Sequence, residues 1–212
     1  MVAIPRGGVP VAAEVARGLG APLDVVVVRK IGAPQNPEFA IGALAQGGVH
    51  LLDQRTVRML SPPEPALRAV IASAQCELEE GLERYGAQRR CIDLTGRTAI
   101  LVDDGLATGN SAAAAVESLR KRGADRVILA VPVAAPESAR VLRGRADEVV
   151  CIEEPTELWA VGSWYEDFRP TTDQEVDALL GPRRDAAPRS GALPAGRLCE
   201  GGVHQGLLGH RA

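Results

Sequence analysis

The sequence is poor in the residues that build redox, metal and triad sites. Its four cysteines, Cys76, Cys91, Cys151 and Cys199, are scattered without a Cys-x-x-Cys pair. That excludes a disulfide scaffold and a cysteine zinc cluster, and it suits a reducing compartment. Three histidines, His50, His204 and His210, leave little from which to build a Ser-His-Asp triad or a multi-histidine metal centre. No uncharged run of about 18 apolar residues occurs, so no membrane span is expected. The opening MVAIPRGG lacks the basic region and long apolar core of a signal peptide, and a cytoplasmic location is expected. There is no excess of one charge sign: 24 Lys+Arg stand against 27 Asp+Glu, a net charge of −3. That argues against a general polyanion binder, and nucleic acid is not expected as a partner. Aromatic residues are only 3% of the chain.

What is present is enough for one folded domain. The 212 residues are 46% apolar, normal for a globular core and too high for a disordered chain. Charge is uneven. Residues 181–212 hold five arginines, two acids, seven glycines and three prolines, so that segment is +3 and residues 1–180 are −6. The domain is expected over 1–180. The segment 181–212 reads as a mostly disordered basic tail, with a coding artefact or a weak nucleic-acid or partner contact as alternatives.

The coarse pattern alternates strands and helices. Strands are expected at Val2–Ile4, Leu23–Val28, Thr98–Val102, Arg126–Val131 and Glu148–Ile152. Helices are expected at Val9–Leu19 with Gly20 as C-cap, Pro65–Arg84, Ser111–Arg122 ended by Gly123, Pro136–Arg143, and Asp173–Leu180 capped by Thr171 or Thr172. Phe39–Leu44 and Val49–Leu52 flank Gly47-Gly48 and predict a hairpin. The order implies an α/β fold with an open, mostly parallel sheet, flanking helices and a small hood or flap.

Chemistry concentrates in Ala99-Ile100-Leu101-Val102-Asp103-Asp104-Gly105-Leu106-Ala107-Thr108-Gly109-Asn110-Ser111. An apolar strand ends in two carboxylates, and a loop with two glycines and two hydroxyl residues opens a helix. Ligands bind at the carboxyl ends of parallel strands. A helix N-terminus offers unpaired N–H groups to a phosphate, and the glycines let backbone approach closely. Two carboxylates would repel a phosphate unless they face sugar hydroxyls or a hydrated magnesium. A bare strand–turn–helix with an Asp N-cap accounts for one Asp and not the pair. Neither a Walker A loop nor Gly-x-Gly-x-x-Gly is present.

Val102-Asp103-Asp104-Gly105-Leu106-Ala107-Thr108-Gly109 resembles the phosphoribosyl pyrophosphate (PRPP) motif of the type I phosphoribosyltransferases. The resemblance covers about residues 1–180 and points to a bacterial, largely uncharacterised branch. It implies that Asp103 and Asp104 bind the ribose hydroxyls and contact magnesium indirectly, with Asp104 stabilising the developing sugar cation. It assigns Gly105, Leu106, Ala107, Thr108, Gly109, Asn110 and Ser111 to the 5-phosphate. Alanine at 107 resembles the adenine- and orotate-type loops and removes one candidate general base.

Ile4-Pro5-Arg6-Gly7-Gly8 matches the family's pyrophosphate loop, often of unusual peptide geometry, so Pro5, Arg6, Gly7 and Gly8 are expected on pyrophosphate. Arg29 and Lys30 join them as a basic pair at a strand's carboxyl end, or stand solvated. Arg6 and Lys30 are expected to act on the leaving group. The segment from Ala33 to Ala43 resembles the family's mobile loop, although its prolines also suit a fixed one. Four of the six aromatic residues fall at Trp159, Trp164, Tyr165 and Phe168. They read either as a cap on the core or as a hood, with Trp159 and Tyr165 as candidate acceptor contacts. Glu153, Glu154 and Glu157 either stand solvated or meet a cationic acceptor.

The function implied is a magnesium-dependent phosphoribosyltransferase that takes PRPP and a small nitrogenous acceptor, with a homodimer left open. The alternatives are a PRPP-sensing or nucleic-acid-binding regulator and a non-catalytic domain. Family members usually carry a helix before the first strand. Here the first strand opens the chain, so either its start is misassigned or part of the sheet lacks that cover.

Overall fold

The computed structural model describes residues 1–85 and 92–181. Five parallel strands form the main sheet in the order β2-β1-β6-β7-β8: β1 (Val2–Ala3), β2 (Asp24–Val25), β6 (Thr98–Val102), β7 (Arg126–Val133) and β8 (Glu148–Glu153). A second sheet is antiparallel and runs β3 (Val28–Ala33), β4 (Asn36–Ala45), β5 (Val49–Leu52). The helices are α1 (Gly8–Leu19), α2 (Gln54–Leu60), α3 (Glu64–Tyr85), α4 (Asn110–Lys121), α5 (Pro136–Arg143) and α6 (Asp173–Leu180). The expected α/β class with an open parallel sheet is what the chain adopts. The 182–212 part of the proposed tail lies outside the described residues. Among the described residues no helix is long and apolar enough to cross a membrane.

The α4 helix explains its own composition. Ala112, Ala113, Ala114, Ala115 and Val116 are all buried, in one cluster with Leu101 and Leu129 of the main sheet and Ala43, Ala45 and Val49 of the second. A helix gripped between two sheets has no face wide enough for large side chains, so small residues are needed nearly all round. On the other side of the main sheet, Val9, Ala12 and Ala16 of α1 pack with Val25, Val102, Tyr85 and Val176. A third cluster seats Ala74 of α3 on Ile31, Ile41 and Leu44 of the second sheet.

Three expectations need correction. The Leu23–Val28 run is not one strand. The chain leaves the main sheet after Val25 and enters the second at Val28. Gln46 secures the crossover, accepting the Val27 N–H on its side chain at 3.1 Å and donating its own N–H to Val27 O at 3.1 Å. Val26 and Val27 are buried throughout (0% and 1% exposed), so hydropathy carries no mark of the change of sheet. The Arg29-Lys30 pair therefore lies within β3, not at a strand's carboxyl end. The Ala33–Ala43 segment is mostly strand: a tight turn joins β3 to β4, which begins at Asn36. A β-bulge at Gly32 lets Pro37 approach so closely that a Cβ on Gly32 would overlap the Pro37 carbonyl. The helix α2 has no counterpart among the sequence expectations. It is short, and it is started by the Asp53 side chain, which accepts from the N–H groups of Arg55 and Thr56.

Candidate active site

The strand β6 ends at Val102 and delivers Asp103 and Asp104 to the carboxyl edge of the main sheet. Asp103 Oδ1 accepts the Asp104 N–H at 3.0 Å, which fixes the turn. The loop after β1 lies directly against this pair. Ile4 N–H donates to Val102 O at 3.0 Å, Gly8 N–H to Ile4 O at 3.1 Å, and the Pro5–Arg6 peptide is cis. Side chains are excluded at both glycines. A Cβ on Gly7 would overlap Asp104 Oδ2, and one on Gly8 would stand 2.8 Å from Val102 O. Gly7-Gly8 is thus demanded by contact with the dicarboxylate turn.

A cleft of about 980 Å³ opens here. Pro5, Arg6 and Gly7 line it from the first loop, Arg29 and Lys30 from β3, and Asp103 through Gly109 with Ser111 from the β6–α4 turn. Burial raises both carboxyls above their ordinary value, and the neighbouring Asp104 charge adds to the effect at Asp103. Lys30 opposes the shift at both, so it is the cation that the pair feels across the cleft. Arg29 lies against α3, where a Cβ on Gly81 would meet its guanidinium at 2.9 Å.

The β6–α4 loop is braced from β7 and α5. Leu106 is buried, its N–H donates to Val133 O at 2.9 Å, and its carbonyl accepts from Ala135 at 2.8 Å. Leu106 therefore serves as the loop's anchor, with its backbone groups already engaged. Ser138 Oγ donates to Ala107 O at 2.6 Å. Gly109 caps α4 with φ +74, a left-handed conformation that suits glycine. The N-terminus of the twelve-residue α4 thus meets the cleft edge through Gly109 and Ser111. Gly8 and Asn110 stand behind the cleft wall and do not line it.

The aromatic segment divides. Tyr165 donates its hydroxyl to Asp104 O at 2.6 Å and packs its ring on Phe168 at 5.1 Å between centroids. It buttresses the dicarboxylate turn. Burial, then the charges of Asp104 and Asp103, push its pKa up to about 12. Trp159 is 90% exposed and does not line the cleft. The residues of this segment that do are Val161 and Phe168. Val161 sits so close that a Cβ on Gly105 would lie 2.6 Å from its Cγ1. Glu154 is held by Arg143.

Sequence reasoning also missed a wall supplied by α3, from which Ser73, Glu77, Arg84 and Tyr85 line the cleft. The signal was present only as polar residues interrupting a one-sided apolar pattern, which any solvated helix shows. Among the described residues no three His, Cys, Asp or Glu groups stand together to hold a metal. Two cleft-facing carboxylates nevertheless fit magnesium, which keeps waters and takes most of its oxygens from a phosphorylated ligand.

The fold and the turn define an α/β protein whose ligand cleft lies at the carboxyl ends of its central strands. The chain belongs to the phosphoribosyl transferase domain family, whose model matches residues 1–168. It is 45% identical over 195 residues to a protein of Mycobacterium tuberculosis strain H37Rv whose name carries the words phosphoribosyl transferase. That match takes in 92% of this chain and 44% of the relative, so the chain spans less than half of that protein's length. A Lactobacillus gasseri uracil phosphoribosyltransferase is 49% identical over 93 residues, 43% of each chain. The solved structure of TT1426 from Thermus thermophilus shares 46% identity with a TM-score of 0.69, over 84% of this chain and 85% of that one.

Proposed function

We propose that this chain transfers the phosphoribosyl group of PRPP to a ring or amide nitrogen of a small base-like acceptor, releasing pyrophosphate. The observation that carries this is the direct stacking of the Pro5-Arg6-Gly7-Gly8 loop on the Asp103-Asp104 turn, with the α4 N-terminus beside both. One cleft then offers acceptors for sugar hydroxyls and donors for two separate phosphate groups.

Asp103 and Asp104 accept hydrogen bonds from the vicinal ribose hydroxyls. The backbone of Ala107, Thr108 and Gly109 at the start of α4, with the Thr108 and Ser111 hydroxyls, takes the 5-phosphate. Arg6 and the Gly7 backbone, which Gly8 lets sit against the dicarboxylate turn, take the pyrophosphate with Arg29 and Lys30 on the facing strand. Asp103 and Asp104 would hold magnesium, which when bound would supply charge neutralisation on the leaving pyrophosphate. The C1–O bond breaks with its electron pair going to pyrophosphate. The nitrogen–C1 bond forms, and the acceptor's proton leaves to solvent. Asp104 stabilises positive charge on the sugar, and Arg6 and Lys30 stabilise the departing anion. Tyr165 keeps Asp104 in place through its carbonyl, while Val161 and Phe168 shield the cleft from water.

The test is PRPP-dependent pyrophosphate release over a panel of acceptors, with uracil first, then other pyrimidines, purines and their analogues. The double variant Asp103→Asn/Asp104→Asn is expected to lose at least about 10²–10³-fold in turnover with its circular dichroism unchanged. Undiminished turnover in that variant overturns the assignment.

A further inference from the structure

We infer that Arg84, at the end of α3, is a second guanidinium for the pyrophosphate, and that Asp173 of α6 positions it together with Arg6. This rests on the phosphoribosyl transfer just proposed.

Three elements distant in sequence meet at the cleft mouth. Arg84 Nη1 donates to Asp173 Oδ2 at 2.5 Å, and the Tyr85 hydroxyl donates to Asp173 Oδ1. Arg6 Nη1 stands 3.8 Å from that same Oδ1. Arg6, Arg84 and Tyr85 all line the cleft. Two guanidiniums that would repel each other are thus gathered by one carboxylate, and the trio of charges keeps one net positive charge facing the cavity. Their side chains are 49% and 55% exposed, so donors remain for a ligand beyond those turned to Asp173. A diphosphate, with its closely spaced oxygens, is the anion that two forked donors at one mouth would hold.

The cluster is electrostatically fixed. The Tyr85 hydrogen bond, then Arg84 and Arg6, hold the Asp173 carboxyl below its ordinary value. Burial and Asp173 push Tyr85 up to about 12. Asp173 stays anionic and Tyr85 stays a donor through the neutral range. Asp173 touches no substrate in this scheme, so its role is positioning.

Binding of magnesium–PRPP and of magnesium–pyrophosphate would be measured by calorimetry on wild type, Arg84→Gln, Arg84→Lys, Asp173→Asn and Asp173→Glu, alongside KM and kcat. Arg84→Gln is expected to weaken both ligands by about ten- to hundredfold, the worth of one or two charge-assisted hydrogen bonds. Its KM should rise more than its kcat falls. Arg84→Lys, which keeps charge and fold, should weaken pyrophosphate by less. Asp173→Asn should weaken pyrophosphate and Asp173→Glu should restore it, a rescue that a merely structural loss would not give. Unchanged pyrophosphate affinity in Arg84→Gln, or loss of PRPP affinity without loss of pyrophosphate affinity, overturns the inference. A wild-type chain that binds pyrophosphate through Arg84 yet turns over no PRPP would overturn the proposed transfer and leave this anion site standing.

Discussion

Asp103 and Asp104 are held where carboxylates are electrostatically uncomfortable, and this has a measurable consequence for stability. Both carboxyls are raised above the ordinary 3.8, chiefly by loss of water. Between the ordinary and the raised value the folded chain holds protons that the unfolded chain has already released. Stability therefore falls as pH rises through that window, and the penalty is complete above the folded-state values. Asp103→Asn removes the charge and keeps an oxygen for the Asp104 N–H. It is expected to raise the melting temperature at pH 8, by roughly 1 kcal/mol in stability, the usual scale of a single stabilising substitution. The gain should shrink as pH is lowered toward 5, while turnover is lost. A variant less stable than wild type at pH 8, or a gain that grows on acidification, would contradict this. The motif itself is fully legible in sequence, because a strand end, two acids and a glycine loop are contiguous. The protonation cost is not, since it comes from residues distant in the chain that close over the pair.

At the scale of elements, legibility follows locality. β6, β7, α4 and α5 are marked by their own periodicity and end signals, and they fall where expected. The Thr172 cap is equally local: its hydroxyl accepts the Glu175 N–H at 3.2 Å, and Glu175 returns to the Thr172 N–H at 2.8 Å. What could not be read was allegiance. Nothing in Val25-Val26-Val27-Val28 says that two sheets share it, because every residue is buried whichever sheet it joins. Arg84 and Asp173, 89 positions apart, likewise meet only after the chain between them is folded. The Thr172 cap now matters beyond α6, since Asp173 follows it directly. Thr172→Ala is expected to cost about 1 kcal/mol and to speed hydrogen exchange in α6, leaving the α4 amides unchanged. Pyrophosphate affinity should fall in parallel, because the anchor for Arg84 frays with the helix. Faster exchange in α6 with full pyrophosphate affinity would separate the two.

At the scale of the molecule, the site is assembled across two sheets. The parallel sheet contributes the carboxylates and both cleft loops, after β1 and after β6, whereas the antiparallel sheet contributes Arg29 and Lys30. The alanine face of α4 keeps the sheets in register, so a small-to-large change there would move a cation relative to an acid. The buried pair of Asp24 and Arg122 (7% and 15% exposed, 3.1 Å) secures the β2 edge of the same assembly. Lys30 reports the coupling most directly, since it lowers both carboxyls from the opposite sheet. Lys30→Gln removes that cation, so the carboxyl values must rise further. The acid limb of the kcat/KM profile for PRPP, which follows ionisation of groups in the free enzyme, is expected to move to higher pH. A lysine that served pyrophosphate alone would lower kcat/KM by the same factor at every pH. The profile of Lys30→Gln therefore decides between the roles: activity lost more steeply at pH 6 than at pH 8 places Lys30 in charge contact with the dicarboxylate turn. A uniform loss assigns it to the leaving group only.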